Sequence, residues 1–291
     1  MTQKKKVITS DNVLLEIGNS FDLENINNLL NLKNQYVDSL LISADGIEHE
    51  TLKSFYQEVA PTTRGYKTLY KLYDTKESIN LSGIRSLDHN KQLFIDQISA
   101  ILENNVNEKL YIVIPYVSTI DEFVEVKELI DLLVVTTDSK NDRKDIKIGF
   151  SVDNASAALH CHRICNYADF VIINSDNLLA NSLVIDQNSK LFNYNNPSFI
   201  NLLKIATQGA KIHQKFCGLY GSILNSPKFL PLIIGLDINQ IYVPFNNVDN
   251  YCKIINKIPK KYATQLVENI IYSADTNKKV VDVIQKFNDD L

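Results

Sequence analysis

The stretch 146–153, IKIGFSVD, followed sixteen residues later by 169–174, DFVIIN, decides how this chain reads. Both runs are apolar nearly throughout and do not alternate. A strand wetted on one face alternates, whereas a strand covered on both faces stays apolar, which is the habit of parallel sheets. Between them, Asn154–Cys165 carries Ala157, Ala158, Cys161 and Cys165 at helical spacing. Strand, helix and strand in that order make one βαβ unit.

Working outward, comparable runs occur at Val13–Gly18, Val37–Ser43, Tyr66–Asp74, Leu110–Val117, Phe216–Gly221 and Ile241–Phe245. Helical spacing is seen over Leu23–Leu32, Gln92–Leu102, Thr119–Val135 and Pro197–His213, and a helical tail is expected over Lys253–Phe287. Thr119–Val135 opens on a capping-box pattern, with Ser118 or Thr119 ahead of Asp121 and Glu122. Thr136–Asp145 (TTDSKNDRKD) reads as an exposed loop. Eight strands alternating with helices over 291 residues predict an α/β protein, a (β/α)8 TIM barrel. Periodicity alone leaves a doubly wound open sheet as the alternative. The chain is expected to be one domain over 1–291, with the barrel over about 12–260 and a helical tail over about 261–291.

Charge narrows the partners. Thirty Lys and Arg against 34 Asp and Glu give a net charge of −4, spread along the chain, so neither nucleic acid nor an anionic membrane is expected as a partner. No apolar run approaches the roughly 20 residues of a membrane span. With no secretory pattern at Met1–Ser10, the four cysteines are expected to be reduced thiols in a cytoplasmic protein. His160-Cys161-His162-Arg163-Ile164-Cys165 looks metal-rich, but two thiols on one helix face do not close a four-ligand zinc site, and core packing is the favoured reading.

Several segments, in order, resemble the C-terminal half of phosphoenolpyruvate–protein phosphotransferase, enzyme I of the sugar phosphotransferase system, and of pyruvate phosphate dikinase. Residues 80–102 (NLSGIRSLDHNKQLFIDQISAIL) resemble that family's NPFLGxRxIR segment and its QxxAIL. Residues 112–123 (IVIPYVSTIDEF) resemble IMxPM and the acidic helix start, and 148–159 (IGFSVDNASAAL) resemble IGxMxETPAAA. Residues 169–187 (DFVIINSDNLLANSLVIDQ) resemble DFFSIGTNDLTQYxxAxDR, and 201–221 lead into a segment like GMCG. The resemblance implies a phosphoenolpyruvate/pyruvate-type TIM barrel. It also implies a divalent metal (Mg2+), phosphoenolpyruvate or pyruvate as ligand, and a homodimer. The family's phosphoryl group passes to a histidine on a separate swivelling domain. None is expected within these residues, so transfer implies a separate phosphocarrier protein.

Carried over by position, Arg85 matches the arginine of the GxR segment, as a contact for substrate phosphate or carboxylate. Lys71 stands where the family has an arginine, with Asp74 matching the acid of that motif, and both are assigned to substrate binding. Ile42 and Gln187 fall where two further arginines are expected. The metal ligands implied are Asp153, Asp176 and Asn177, the last two in reversed order from the family's Asn–Asp. Asp153 and Asp176 are alternatively helix N-caps. Tyr220 falls at the family's catalytic cysteine, as an acid or as a packed aromatic, and Ser222 replaces its acid. One arginine kept and several site residues replaced imply weak or absent catalysis and a binding or regulatory role. The alternatives are an active phosphotransferase component or a metal-dependent 2-oxo acid lyase or aldolase.

Overall fold

The computed structural model describes residues 7–21, 29, 37–45, 47–74, 82–244 and 247–291. Eight strands form a closed, wholly parallel barrel: β1 Glu16–Phe21, β2 Ser39–Ser43, β3 Lys67–Lys71, β4 Leu110–Ile114, β5 Ile146–Val152, β6 Phe170–Asn174, β7 Phe216–Tyr220 and β8 Gln240–Val243. Closure pairs Glu16 with Gln240 and Ile17 with Ile241 across β1 and β8. The Asn19 side-chain amide clamps the same seam by donating to the Val243 carbonyl at 2.9 Å. The (β/α)8 expectation holds and the open-sheet alternative falls.

Strand periodicity sorts the side chains into two compartments. Leu41, Leu69, Val113, Phe170, Ile172 and Tyr242 form one cluster, with Tyr111, Phe216 and Tyr220 packed on it; these fill the barrel. Their strand neighbours, among them Leu40, Ile42, Tyr70, Ile112, Val171 and Ile173, join the larger core under the helices. Residues buried on both sides are why the runs do not alternate. The floor is polar: Lys67 Nζ lies 3.6 Å from the centre of the Phe216 ring and 3.7 Å from Glu16. Above them the Gln240 amide donates to Ser39 Oγ and Tyr242 to Gln240 Oε1 at 3.0 Å.

The helices are α1 Leu52–Thr62, α2 Leu87–Asn104, α3 Ile120–Thr136, α4 Ala155–Ile164, α5 Ser175–Leu183, α6 Pro197–Ile212, α7 Leu230–Gly235, α8 Val248–Ile255, α9 Lys260–Ser273 and α10 Asn277–Asp289. The capping box of α3 is present: Thr119 accepts from Glu122 N–H, and the Glu122 carboxylate accepts from Thr119 N–H at 3.1 Å. The helix expected over Leu23–Leu32 lies outside the described residues, Leu29 apart. Sequence reading missed α1, α5 and α7, and it set β1 three residues too early.

The helical tail expected over Lys253–Phe287 is made of three helices, α8 to α10. Pro259, which has no N–H to donate, immediately precedes α9, while Thr276 caps α10 by accepting from Lys279 N–H. The tail is not an appendage either. A Cβ on Gly235 of α7 would fall 2.1 Å from the Ala263 carbonyl oxygen, so α7 and α9 touch backbone to backbone. Among the described residues no helix is long and apolar enough to cross a membrane.

Candidate functional site

The carboxyl ends of the strands carry the polar residues. Lys71 is the last residue of β3 and points inward, as Leu69 does two residues earlier. It is 3% exposed. A buried ammonium needs counter-charge, and Lys71 has two: Asp45, just past β2, and Asp74, just past β3, each with a carboxylate oxygen 2.5 Å from Nζ. Asp74 N–H also donates to Asp45 at 3.2 Å. Two acids competing for one lysine do not stay equivalent. Burial works against the charge of Asp45, but Lys71 and the Ser43 hydroxyl hold its carboxyl below the usual range. Asp74 is pushed up to about 7, first by burial and then by the charges of Asp45 and Asp153, against the pull of Lys71. Burial opposes the charge on Lys71, yet the neighbouring acids keep it a firm cation.

A consequence is testable by pH. Unfolded, Asp74 ionises near 3.8, and folded near 7. Between those values the folded state binds the extra proton, so stability falls as pH rises and levels off above 7. Asp45, with its folded value lowered, acts in the opposite sense and below pH 4. Asp74→Asn should flatten the decline between pH 4 and 7. It should leave the protein about 1–2 kcal/mol more stable than wild type at pH 8, a rise of roughly 2–8 °C in melting temperature. Parallel melting profiles for the two proteins would remove Asp74 as the source.

Ile42, placed by resemblance at an arginine position, faces the helices and is fully buried. The inward residue at the end of β2 is Ser43, whose Cα pairs with that of Lys71 and whose hydroxyl donates to Asp45 at 2.5 Å. No cation reaches the mouth from either position.

Asp153 follows β5 and is fully buried. It does not cap α4: the Asn154 side chain does, accepting from Ala157 N–H at 2.9 Å. Freed from that task, the Asp153 carboxylate accepts from Tyr116 N–H at 2.9 Å and from Asn177 Nδ2 at 3.0 Å. Tyr116 adopts the left-handed region (φ 60°), a strained conformation for a tyrosine. Asn177 Oδ1 in turn accepts from Gln187 at 3.2 Å. Since a carboxylate only accepts, the amide nitrogen must face Asp153. Asp153, Asn177 and Gln187, three positions singled out from sequence, thus form one chain of hydrogen bonds.

Asp176 leaves that chain. It lies in the first turn of α5, which the Asn174 side chain caps, so the N-cap alternative for Asp176 falls too. Its carboxylate accepts from Ser222 N–H and Ser222 Oγ, each at 2.9 Å, from Ser175 Oγ at 3.0 Å, and from the Tyr194 hydroxyl. Gly221 makes the approach feasible: its φ is 119°, and a Cβ there would fall 2.2 Å from Ser175 Oγ.

Tyr220 ends β7 on the inner face, its ring centre 6.0 Å from Lys71 Nζ. The hydroxyl is buried and has no hydrogen-bond partner among the described residues. Burial, followed by the charges of Asp153, Asp74 and Asp45, keeps it a neutral phenol despite Lys71. Arg85, in the turn Gly83–Ser86, sits on the rim, where it donates to Ser118 Oγ and lies 3.5 Å from Glu122. Asp45, Tyr116 and Tyr194 escaped the sequence reading. Asp45 was findable, as an acid two residues past an apolar run on the face where such barrels carry their chemistry. Cys161 and Cys165 are buried with sulfurs 3.8 Å apart, in the core as expected. No cluster of three or more His, Cys, Asp or Glu that could hold a metal occurs among the described residues.

The model of the PEP-utilising enzymes' PEP-binding domain (PEP, phosphoenolpyruvate) matches residues 60–259, from α1 to the loop before α9 and so from Lys71 to Tyr220. The chain belongs to the PEP-utilising enzymes. Curated relatives agree. The phosphoenolpyruvate-protein phosphotransferase of Mycoplasma capricolum is 30% identical over 207 residues, covering 69% of this chain and 36% of that protein. That of Mycoplasma genitalium is 28% identical over 183 residues, covering 62% and 32%. This PEP-utilising barrel therefore spans about a third of the length of the relatives it matches. Among solved structures it is similar to a citrate lyase beta subunit from Mycobacterium tuberculosis, complexed with oxaloacetate and magnesium. That match has a TM-score of 0.55 and 7% identity over 83% of this chain and 96% of the other. An HpcH/HpaI aldolase/citrate lyase family protein from Burkholderia cenocepacia gives 0.55 and 12% over 87% and 95%. At such identities the likeness carries the fold alone.

Proposed function

We propose that this PEP-utilising barrel is a binding or regulatory member of its family that no longer performs metal-dependent phosphoryl transfer. The observation that carries the reading is the Asn177 amide, steadied by Gln187 and donating to the Asp153 carboxylate. A hard divalent cation needs oxygen ligands from one or two carboxylates. Here Asp153 already accepts from two N–H groups, and Asp176 is held by four donors on the other side of α5. The residues present do not fit Mg2+.

The anion side points the same way. A phosphate and a carboxylate together need several cations, preferably guanidinium forks. Lys71 is neutralised by Asp45 and Asp74, and Arg85 is shared between Glu122 and Ser118. Each missing charge-assisted contact costs about 1.5–3 kcal/mol. Tyr220, as a neutral phenol beside carboxylates, is a poor proton donor to an enolate.

Calorimetric titration of Mg2+ with PEP should therefore give no saturable heat up to several millimolar. Saturable binding that Arg85→Ala abolishes would overturn the reading. It would favour the second one, an active component paired with a separate phosphocarrier protein, which rests on Arg85, Lys71, Asp74 and Asp153.

A further inference from the structure

Helix α10 carries its charges against its own dipole. Lys278 and Lys279 lie in its first turn, the positive end, while Asp289 and Asp290 lie at the negative end. Lys286 alone among the lysines of α10 follows the favourable order. Lys279 has a partner in Asp275, an exposed pair at 2.9 Å, but Asp289, Asp290 and Lys286 have no ion-pair partner among the described residues. The same helix borders an open groove of about 670 Å3 against α9. Both walls repeat apolar residues at helical spacing: Tyr262 and Leu266 on α9, and Val283, Phe287 and Leu291 along and just past α10. Tyr262 is 56% exposed and Leu291 45%. Lys286 and Asp290 stand on the α10 wall. Two walls with that spacing suit a third amphipathic helix. The matched family segment ends at residue 259, so both walls lie beyond it.

We infer that this groove takes a second copy of the chain, its α10 lying antiparallel to the first across a twofold axis. A twofold interface must be complementary to itself, and the charge order of α10 meets that condition. With the helices antiparallel, the Lys279 end of each meets the Asp290 end of the other. Each lysine then lies beside a helix C-terminus and each carboxylate beside an N-terminus, the order that the single helix lacks. Val283 and Phe287 supply the apolar stripe that enters the partner's groove. An unrelated helix would fill the apolar floor and leave the reversed charges unanswered. The contact is one groove wide, so the dimer is expected to be weak, with a dissociation constant of about 10–100 µM. The inference goes beyond the reading of the barrel mouth and stands independently of it.

Sedimentation velocity on the whole protein, from about 1 to about 500 µM, tests it. Wild type should pass from monomer to dimer across that range. Lys279→Glu and Asp290→Lys should each weaken the dimer about tenfold, and the double variant should return it to within about threefold of wild type. Both single changes put charge in the order that the helix dipole favours, and Lys279→Glu completes a capping box with Thr276. The variants should therefore melt no lower than wild type, which separates loss of the dimer from loss of the fold. Tyr262→Ser, on the exposed wall, should also weaken the dimer about tenfold. A protein that stays monomeric at about 500 µM overturns the inference. A dimer indifferent to all of these variants forms through another face and overturns it as well. Single variants that weaken the dimer with no rescue in the double variant overturn the antiparallel alignment.

Discussion

Asn177→Asp should make the fold depend on a divalent cation. Without metal, the substitution exchanges a hydrogen bond for a second carboxylate about 3 Å from a fully buried one. Breaking a buried charged pairing costs about 3–5 kcal/mol when no new partner is found. The introduced carboxylate lies partly open to solvent and part of that cost is relieved, so the expected loss is about 2–4 kcal/mol, roughly 4–16 °C in melting temperature. With millimolar Mn2+ or Mg2+ the two carboxylates gain the ion they lack, and binding at a hundred times the dissociation constant returns about 2.7 kcal/mol. Wild type should not respond, because the Asn177 amide already holds the position. A melting temperature that rises with Mn2+ in wild type as it does in the variant would show that the amide displaces nothing.

The second large effect is expected at Asp176. It gathers the end of β7, the start of α5 and the Tyr194 loop around one carboxylate through Ser222, Ser175 and Tyr194. The Tyr194 ring carries the constraint onward, with centroids 5.2 Å from Phe192 and 5.9 Å from Phe229. Asp176→Ala strands at least three donors at once, and hydrogen bonds to a charged acceptor are worth about 1.5–3 kcal/mol each. Non-additivity and partial exposure bring the expected loss to about 3 kcal/mol, read as a lower urea midpoint with an unchanged slope. Proteolysis should open first between residues 184 and 196. Asp176→Asn, which keeps one acceptor oxygen, should recover about half of the loss. A midpoint shift worth under about 1 kcal/mol would mean that packing of the aromatic loop, not the carboxylate, holds this edge.

The barrel was legible because burial on both sides of a strand leaves a mark that any one strand shows: IKIGF and FVII carry no alternation to misread. Which face a residue takes was harder. Ile42 and Ser43 differ by one position, and with period-2 geometry that is the difference between the helix layer and the mouth. Adjacent residues of similar chemistry raised the same difficulty. Asp153 and Asn154 both make good N-caps, and only the three-dimensional neighbours of Asp153 decide that Asn154 takes the task. In extended backbone, the adjacent Asp176 and Asn177 would point to opposite faces. They lie instead in a helical turn, about 100° apart, which sends one to Ser222 and the other to Asp153. The position of Asp45, two residues past an apolar run, marks it as a candidate, but its pairing comes from Lys71, on the next strand.

The seam between β1 and β8 has a consequence in time. Asn19 and Val243 lie 224 positions apart and meet only after the chain between them exists. At synthesis rates of about 5–20 residues per second, the first strand waits on the order of 10–45 s with an open edge before its last neighbour emerges from the ribosome. Throughout that interval the inward faces of β1 and β2 lack a far wall, and the rows of unpaired amides on β1 invite pairing with another nascent chain. Closing the ring is thus the slow, high-contact-order event, and chaperone demand should be greatest just before residue 243 is made.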